Sequence, residues 1–448
     1  ETIWCKVYVM SDGLPSDICK TLYIDLSDAN GKTLRHIAAP VTKGSAKAQF
    51  DIPGGYKFNG IFVRAYTKWM LNFDSAFLYN KYIPVVQPDA GFTKAVEPAV
   101  KTVINFLPEG GDAIAGIPNK IAFKAVHYNG MPATVKGIIL NSKAEQVTEI
   151  NSLHDGMGYF IMLPVGGETY TAKWKDEQGN SFETVLPAIK PAGVNIEVKA
   201  APGKKSFIIR RSPEVPPNLN HINIVATMQQ QLVYMASVKL DVNPAAGGAI
   251  PIEELSSGIM QITLFDSNWV AFAARITFVD NDDYRFEPEV GFSALSADKR
   301  GKNILVISIP DKIESNLSVS VTDAGIGIDS SDNILSRLLL TGDLKGTVYK
   351  PGYYFFAKND TVQQNLDLVM LTNGWRRIKW DNLMNGKMPV LKYPNDVNYL
   401  SFGGKVYGVS PTELRQGAML MMIVDNKKDS LRQVMQSILD EQGNFGKP

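Results

Sequence analysis

One pattern constrains this chain more than any other. Short runs of alternating apolar residues recur about every ten residues, each bounded by Gly, Pro, Asn or Asp. A period of two places successive side chains on opposite faces of a strand. In Ile3–Met10, Trp4, Lys6, Tyr8 and Met10 share one face, while Ile3, Cys5, Val7 and Val9 share the other. Lys20–Ser27, Thr33–Ala38, Ala46–Ile52 and Gly60–Trp69 repeat the arrangement, and the turns Asp28–Lys32 and Ile52–Tyr56 carry residues that tolerate positive φ. Strands of this kind bury their apolar faces by stacking sheet on sheet. The expected fold class is all-β, a series of tandem antiparallel, immunoglobulin-like β-sandwiches.

A length of 448 residues is too great for one ordinary core. The first sandwich is expected over 1–98, closing in the proline-containing stretch Pro84–Pro98. The second covers 99–200, opening on Phe106–Asp112 (FLPEGGD) and turning at Asn129–Gly130. The segment Ala200–Lys205 marks the next boundary, and a third sandwich covers 201–283 with a Gln-rich turn at Gln229–Gln231. Region 284–391 is mixed, with strands at Asn303–Ile309 and Leu317–Thr322 and helical spacing near 333–341 and 360–373. Val362, Leu366, Val369 and Met370 fall on one helical face, with Asp360 as the expected N-cap and Gly374 as the stop. Residues 392–448 return to β runs and are expected to form part of another sandwich. The chain starts inside a strand-like run and stops after a turn-like EQGNFG, so it reads as a processed or trimmed piece.

Composition narrows the function. With 45% hydrophobic and 20% charged residues the chain can bury normal cores. A formal net charge of +1 argues against neutralising a nucleic-acid backbone or binding a membrane through a polybasic patch. Nothing reaches the eighteen or more consecutive apolar residues of a membrane-spanning helix.

Residues that carry chemistry are sparse. His36, His127, His154 and His221 lie in different runs, without HExxH pairing. His154 with Asp155 could act as a general base, but a turn histidine beside an amide-binding Asp is the stronger expectation, and the same holds for His127. There is no GxSxG elbow. Cys5 and Cys19 form either a disulfide or two buried thiols. The clusters Asp280, Asp282 and Asp283, and Asp329 and Asp332, lack EF-hand spacing and read as solvated turns. FLPEGGD is not followed by a helix, so it reads as a tight loop and not as a phosphate cradle. No catalytic residue, metal or cofactor is expected. The candidate interaction surface is Trp375, Arg376, Arg377 and Trp380, since Trp and Arg are favoured at binding hot spots; the competing expectation is that the two tryptophans cap the helix against a neighbouring sandwich.

Several segments, taken in order, carry a resemblance: ETIWCKVYV, GIFVRAYTKWMLNF, INFLPEGGDAIAGIPNKIAFKAV, HDGMGYFIMLP, SGIMQITLFDSN, LLLTGDLKGTVYKPGYYF and LDLVMLTNGWRRIKW. Over most of Glu1–Trp380 the chain resembles the large macroglobulin-like (MG2-type) envelope proteins of Bacteroidetes. In these, macroglobulin-like domains precede a carboxypeptidase-regulatory-like domain and a TonB-receptor-type plug. The segment beginning FGGKVYGV is similar to the opening of the regulatory-like domain. The resemblance implies export to the periplasm or outer membrane. It implies a non-enzymatic scaffold or binding protein acting in protein–protein interaction or TonB-linked transport. The implied partner is another envelope protein, an outer-membrane transporter or a secretion component. It also implies that the first strand of the first module and the plug are missing here. A macroglobulin-like protease trap is one alternative, with Asp323–Ser336 as its exposed bait segment, but no GCGEQ-like thioester occurs. An accessory part of a glycan- or peptide-processing enzyme is the other.

Overall fold

The computed structural model describes residues 2–52, 56, 59–85, 101–310, 314–321, 331–373, 380–387, 390–399, 402–426 and 431–447. The chain divides into two compact units, one formed by 1–92 with 389–448 and the other by 93–388. Both are built mainly from antiparallel β-sheets; the second also has a short parallel pairing of Ala113–Ile114 with Ile189–Lys190 and the larger helical segment.

In the first unit, β1 (Thr2–Tyr8), β2 (Thr21–Ser27), β3 (Thr33–Pro40), β4 (Ser45–Asp51), β5 (Gly60–Tyr66) and β6 (Tyr79–Pro84) make two sheets, ordered β1-β4 and β3-β2-β5-β6. Alternate residues Leu22, Ile24 and Leu26 meet Ile61, Val63 and Phe50 in the core. The strand expected through Trp69 ends at Tyr66, and Lys68–Asn72 forms a 3-10 turn. Asn72 closes that turn by donating from Nδ2 to the carbonyls of Trp69 (3.0 Å) and Tyr393 (2.7 Å). Residues 390–399 therefore lie on this sandwich, and Lys20 N also donates to Asp396 O at 2.9 Å. Cys5 and Cys19 are free thiols, not a disulfide, and burial pushes both above their ordinary pKa. Farther along, Phe402–Lys405 pairs with Asn444–Lys447 and Met419–Asn426 pairs with Leu431–Ile438.

The second unit holds two sandwiches. β7 (Thr102–Pro108), β8 (Asn119–His127), β9 (Val135–Leu140), β10 (Gln146–Asn151), β11 (Met157–Met162), β12 (Thr171–Asp176) and β13 (Ser181–Val185) form sheets ordered β11-β8-β7 and β10-β9-β12-β13. Phe123, Ile121, Ile139, Ile150 and Trp174 fill the space between them. β14 (Val194–Ala201), β15 (Lys204–Arg211), β16 (His221–Met228), β17 (Gln231–Lys239), β18 (Ala245–Pro251), β19 (Gly258–Phe265) and β20 (Ala271–Val279) form the next pair, ordered β14-β15-β18 and β17-β16-β19-β20. The boundary expected after residue 200 falls in the hairpin between β14 and β15, because Ala200 pairs with Lys205 and Val194, Ile196 and Val198 belong to the third core. Their alternation was legible; which sandwich they complete was not.

Region 284–391 does not add a sandwich of its own among the described residues. Glu289–Ala294 pairs with Ile304–Ser308 in a two-stranded ribbon, and the helices pack elsewhere. α1 (Ile334–Leu339) and α2 (Asp360–Thr372) cover the sandwiches: Val362, Leu366, Val369 and Met370 join Met157 of β11 and Ile276 and Phe278 of β20 in a shared core. The N-cap of α2 is Asn359, whose side chain accepts from Val362 N at 2.9 Å, rather than Asp360. Asp360 sits one place inside, where its charge faces the positive end of the helix dipole. The C-cap is Asn373, and the expected stop at Gly374 lies outside the described residues.

A buried ionic group ties these parts together. Arg275 of β20 is 3% exposed and Glu109, in the FLPEGGD loop, is 5% exposed. Arg275 Nε donates to Glu109 Oε1 at 2.8 Å, and Nη2 donates to Asp367 Oδ1 of α2 at 2.6 Å. Glu109 Oε1 also accepts from Val198 N at 3.1 Å, and its Oε2 lies 3.3 Å from Lys120 Nζ. One guanidinium thus connects the second sandwich, the third and the helix. Removing one member of such a group strands a charge in low dielectric. Arg275→Ala is expected to cost about 3–5 kcal/mol, whereas replacing Glu109 and Arg275 together with Leu and Met costs far less. Denaturant unfolding of the two variants checks this, and equal losses would contradict it.

Candidate functional site

Of the expected interaction surface, Trp375, Arg376 and Arg377 lie outside the described residues. Trp380 opens α3 (Trp380–Met384) and sets its ring edge-on to Phe265, with centroids 5.0 Å apart. Phe265 is 1% exposed and also meets Trp269. Trp380 is half-buried against the third sandwich, and its indole nitrogen has no hydrogen-bond partner among the described residues. Its geometry is that of a packing residue.

The histidines and acids expected in turns are occupied by their neighbours. His36 Nδ1 lies 2.6 Å from Asp25 Oδ1. His127 shares hydrogen bonds with Thr102 Oγ1 (3.1 Å) and Glu177 Oε1 (2.8 Å). Nearby, Asp176 is 4% exposed and accepts from the backbone of Gln178 and Asn180 and from the Asn180 side chain. Asp283 accepts from Ser257 N at 3.0 Å, and Asp282 pairs with Arg285 at 2.6 Å. Asp332 accepts from Ser336 Oγ at 2.7 Å, and Asp329 lies outside the described residues, as do residues 323–330 of the bait-like stretch. Among the described residues no three His, Cys, Asp or Glu side chains converge as metal ligands would.

His154 and Asp155 do come together, and other groups join them. Asp155 has φ 45° and Gly156 φ 74°, so the HDGMG turn runs through left-handed backbone. A Cβ at Gly156 would lie 2.3 Å from Ala125 O, so only glycine lets the turn press against β8. His154 Nε2 reaches Asp155 Oδ2 and Tyr354 Oη, both at 3.1 Å, and its ring stacks on Tyr353 at 5.0 Å. Burial holds the His154 pKa below its ordinary value against the opposing charge of Asp155. Burial likewise raises the Asp155 pKa despite His154, Lys350 and Lys124. A cavity of about 10 Å³ lies beside this turn, lined by Lys124, Asp155, Val348, Val369 and Asn373. Lys124 Nζ donates to Thr347 O and to Asn373 Oδ1, each at 2.8 Å, and burial lowers its pKa to about 8. Lys124 and Asn373 carried no sequence signal, being one lysine in a strand and one asparagine after a helix.

Open surfaces of the second unit include a trough and a ribbon. A trough of about 620 Å³ crosses the β10-β9-β12-β13 sheet, where Lys136, Lys173 and Lys175 alternate with Glu149 and Glu183. The ribbon of Glu289–Ala294 and Ile304–Ser308 pairs Val290 with Ile307 and Phe292 with Leu305 on one face. Val290 is 60% exposed, Phe292 62% and Leu305 40%.

No family model and no curated protein matches the chain. Solved structures overlap it in part. The native conformation of Escherichia coli α2-macroglobulin covers 69% of this chain and 24% of its own length, at 11% identity and TM-score 0.18. The same protein activated by porcine elastase covers 100% and 39%, at 11% identity and TM-score 0.24. The BSP domain of a biofilm-associated protein covers 63% and 60%, at 9% identity and TM-score 0.23. The chain thus spans 24% to 39% of the macroglobulins' length. Its two-sheet architecture rests on its own strand pairing.

Asp176 supplies a pH test of the His127 turn. Burial alone would raise its pKa, but the hydrogen bonds from Asn180 and Gln178 outweigh this and hold it below 3.8. A lowered carboxylate stabilises the fold fully above its unfolded pKa and loses that contribution as pH falls through the native value. Asp176→Asn is expected to lower the melting temperature at neutral pH and to flatten its decline below pH 3.8. Melting curves over an acid series check this, and parallel declines in both proteins would exclude the role.

Proposed function

We propose that this chain is a non-enzymatic, extracytoplasmic scaffold or binding protein of the bacterial envelope. It associates with the outer membrane and acts in protein–protein interaction or TonB-linked transport. The observation that carries this reading is the two-stranded ribbon with one apolar face in water. Two strands alone are marginally stable. A contiguous apolar face that the fold leaves open marks a contact surface, and an exposed ribbon edge accepts an added strand through its backbone groups. The ribbon belongs to a unit whose sandwiches are joined by the buried Arg275 group, which suits a rigid support that carries a binding element. Among the described residues no helix is long and apolar enough to cross a membrane. The trough on the second sandwich, with its mixed charges, offers a further polar contact face.

The test is co-purification from outer-membrane extracts. The native protein is expected to bring down a transporter or secretion component. The double substitution Val290→Lys, Phe292→Lys is expected to lose at least tenfold of it, because about 1.4 kcal/mol of lost binding is already a factor of ten. Both positions are exposed, so the melting temperature is expected to stay unchanged. Undiminished recovery with the double variant would overturn the role of the ribbon.

A further inference from the structure

Lys124 and Asn373 are 249 residues apart in sequence and meet side chain to side chain. The amine donates to Asn373 Oδ1 at 2.8 Å, so Nζ lies no more than about 4 Å from Cγ, given a C=O bond of about 1.23 Å. That is close to the separation of a near-attack arrangement. Asn373 is 6% exposed, and its Nδ2 is held by Val369 O at 3.2 Å. The surroundings are largely apolar: Met157, Val348 and Val369 are each less than a tenth exposed, and all three line the cavity that Lys124, Asp155 and Asn373 share.

From this juxtaposition we propose that Lys124 and Asn373 form an intramolecular amide crosslink, with Asp155 as the proton carrier. The Lys124 Nζ lone pair attacks Asn373 Cγ. The Nζ–Cγ bond forms and the Cγ–Nδ2 bond breaks, its electron pair leaving with Nδ2. Asp155 in its acid form gives a proton to Nδ2, which departs as ammonia, and takes one back from Nζ. Amine plus primary amide becomes secondary amide plus ammonia, with no oxidant, reductant or co-reactant.

The electrostatics of the cavity shift both groups toward the reactive protonation states. An amine must be neutral to attack, and burial lowers the Lys124 pKa to about 8. A proton carrier must be able to hold a proton, and burial raises the pKa of Asp155. His154 and Lys350 also face Asp155, and Thr347 O competes for the amine. The crosslink would join β8 of the second sandwich to the C-cap of α2. Tension applied across the unit would then pass through the amide and bypass everything between the two residues, the third sandwich included. This inference does not depend on the ribbon.

The test is the intact mass of the purified chain under denaturing, reducing conditions. The expected mass is one ammonia below that of the sequence, and proteolysis is expected to release a branched peptide joining the Lys124 and Asn373 fragments. Asn373 precedes Gly374, and an Asn-Gly succinimide would lose the same ammonia. Lys124→Arg separates the two, because it keeps a cation that can bond Thr347 O and Asn373 Oδ1 but cannot form the amide. Full mass in Lys124→Arg and in Asn373→Ala, with slowed or absent crosslinking in Asp155→Ala, supports the proposal. Full mass in the native chain, or an ammonia loss that persists in Lys124→Arg, overturns it.

Discussion

The second unit depends on one buried guanidinium. Arg275 projects from β20, yet its partners come from the loop after β7 and from the middle of α2. Desolvating such a cation is costly, and the structure offsets that cost with two carboxylates at hydrogen-bond distance. Because Glu109 also accepts from Val198 N, a shift of any one element would leave a buried charge without its partner. Apolar contact between sandwiches tolerates sliding; a directional ionic group does not. The spacing of the two sandwiches and the helix is therefore set by charge geometry, while their stability comes from the apolar cores.

The helical segment gains its place in the same way. A single amphipathic helix of thirteen residues is marginal in water. α2 is stabilised by laying Val362, Leu366, Val369 and Met370 on Met157, Ile276 and Phe278, which closes one edge of both sandwiches. That placement buries the HDGMG turn. His154 is covered by Tyr353 and Tyr354, and Lys124 is forced to find partners at the helix terminus and at Thr347. The shifted pKa values of Lys124 and Asp155 follow from burying these groups beneath a helix.

The covered edge also explains the contrast with the open ribbon. Where α2 lies, apolar residues are withdrawn from water; in Glu289–Ala294 and Ile304–Ser308 the same alternation leaves Phe292 and Val290 exposed.

Much of the fold was legible because alternation is a local property. The strands around Leu22, Phe123 and Ile224, the Gln229–Gln230 turn and the helix over Asp360–Thr372 follow from the period of apolar residues and from turn chemistry. The aromatic and basic run GWRRIKW drew attention by composition, yet its one described residue, Trp380, serves to cover Phe265. Glu109, Lys124, Arg275, Asp367 and Asn373 gave no signal, because each is an ordinary residue for its local element. What sequence alone determined was the identity of the layers: antiparallel strands with two-faced alternation, able to hide their apolar sides only in stacked sheets. Tertiary structure alone decided which strands share a core, as when Val194–Ala201 joins the third sandwich, and which charges meet. Those outcomes depend on contacts between residues from tens to more than two hundred positions apart, and hydrophobic period carries no information about them.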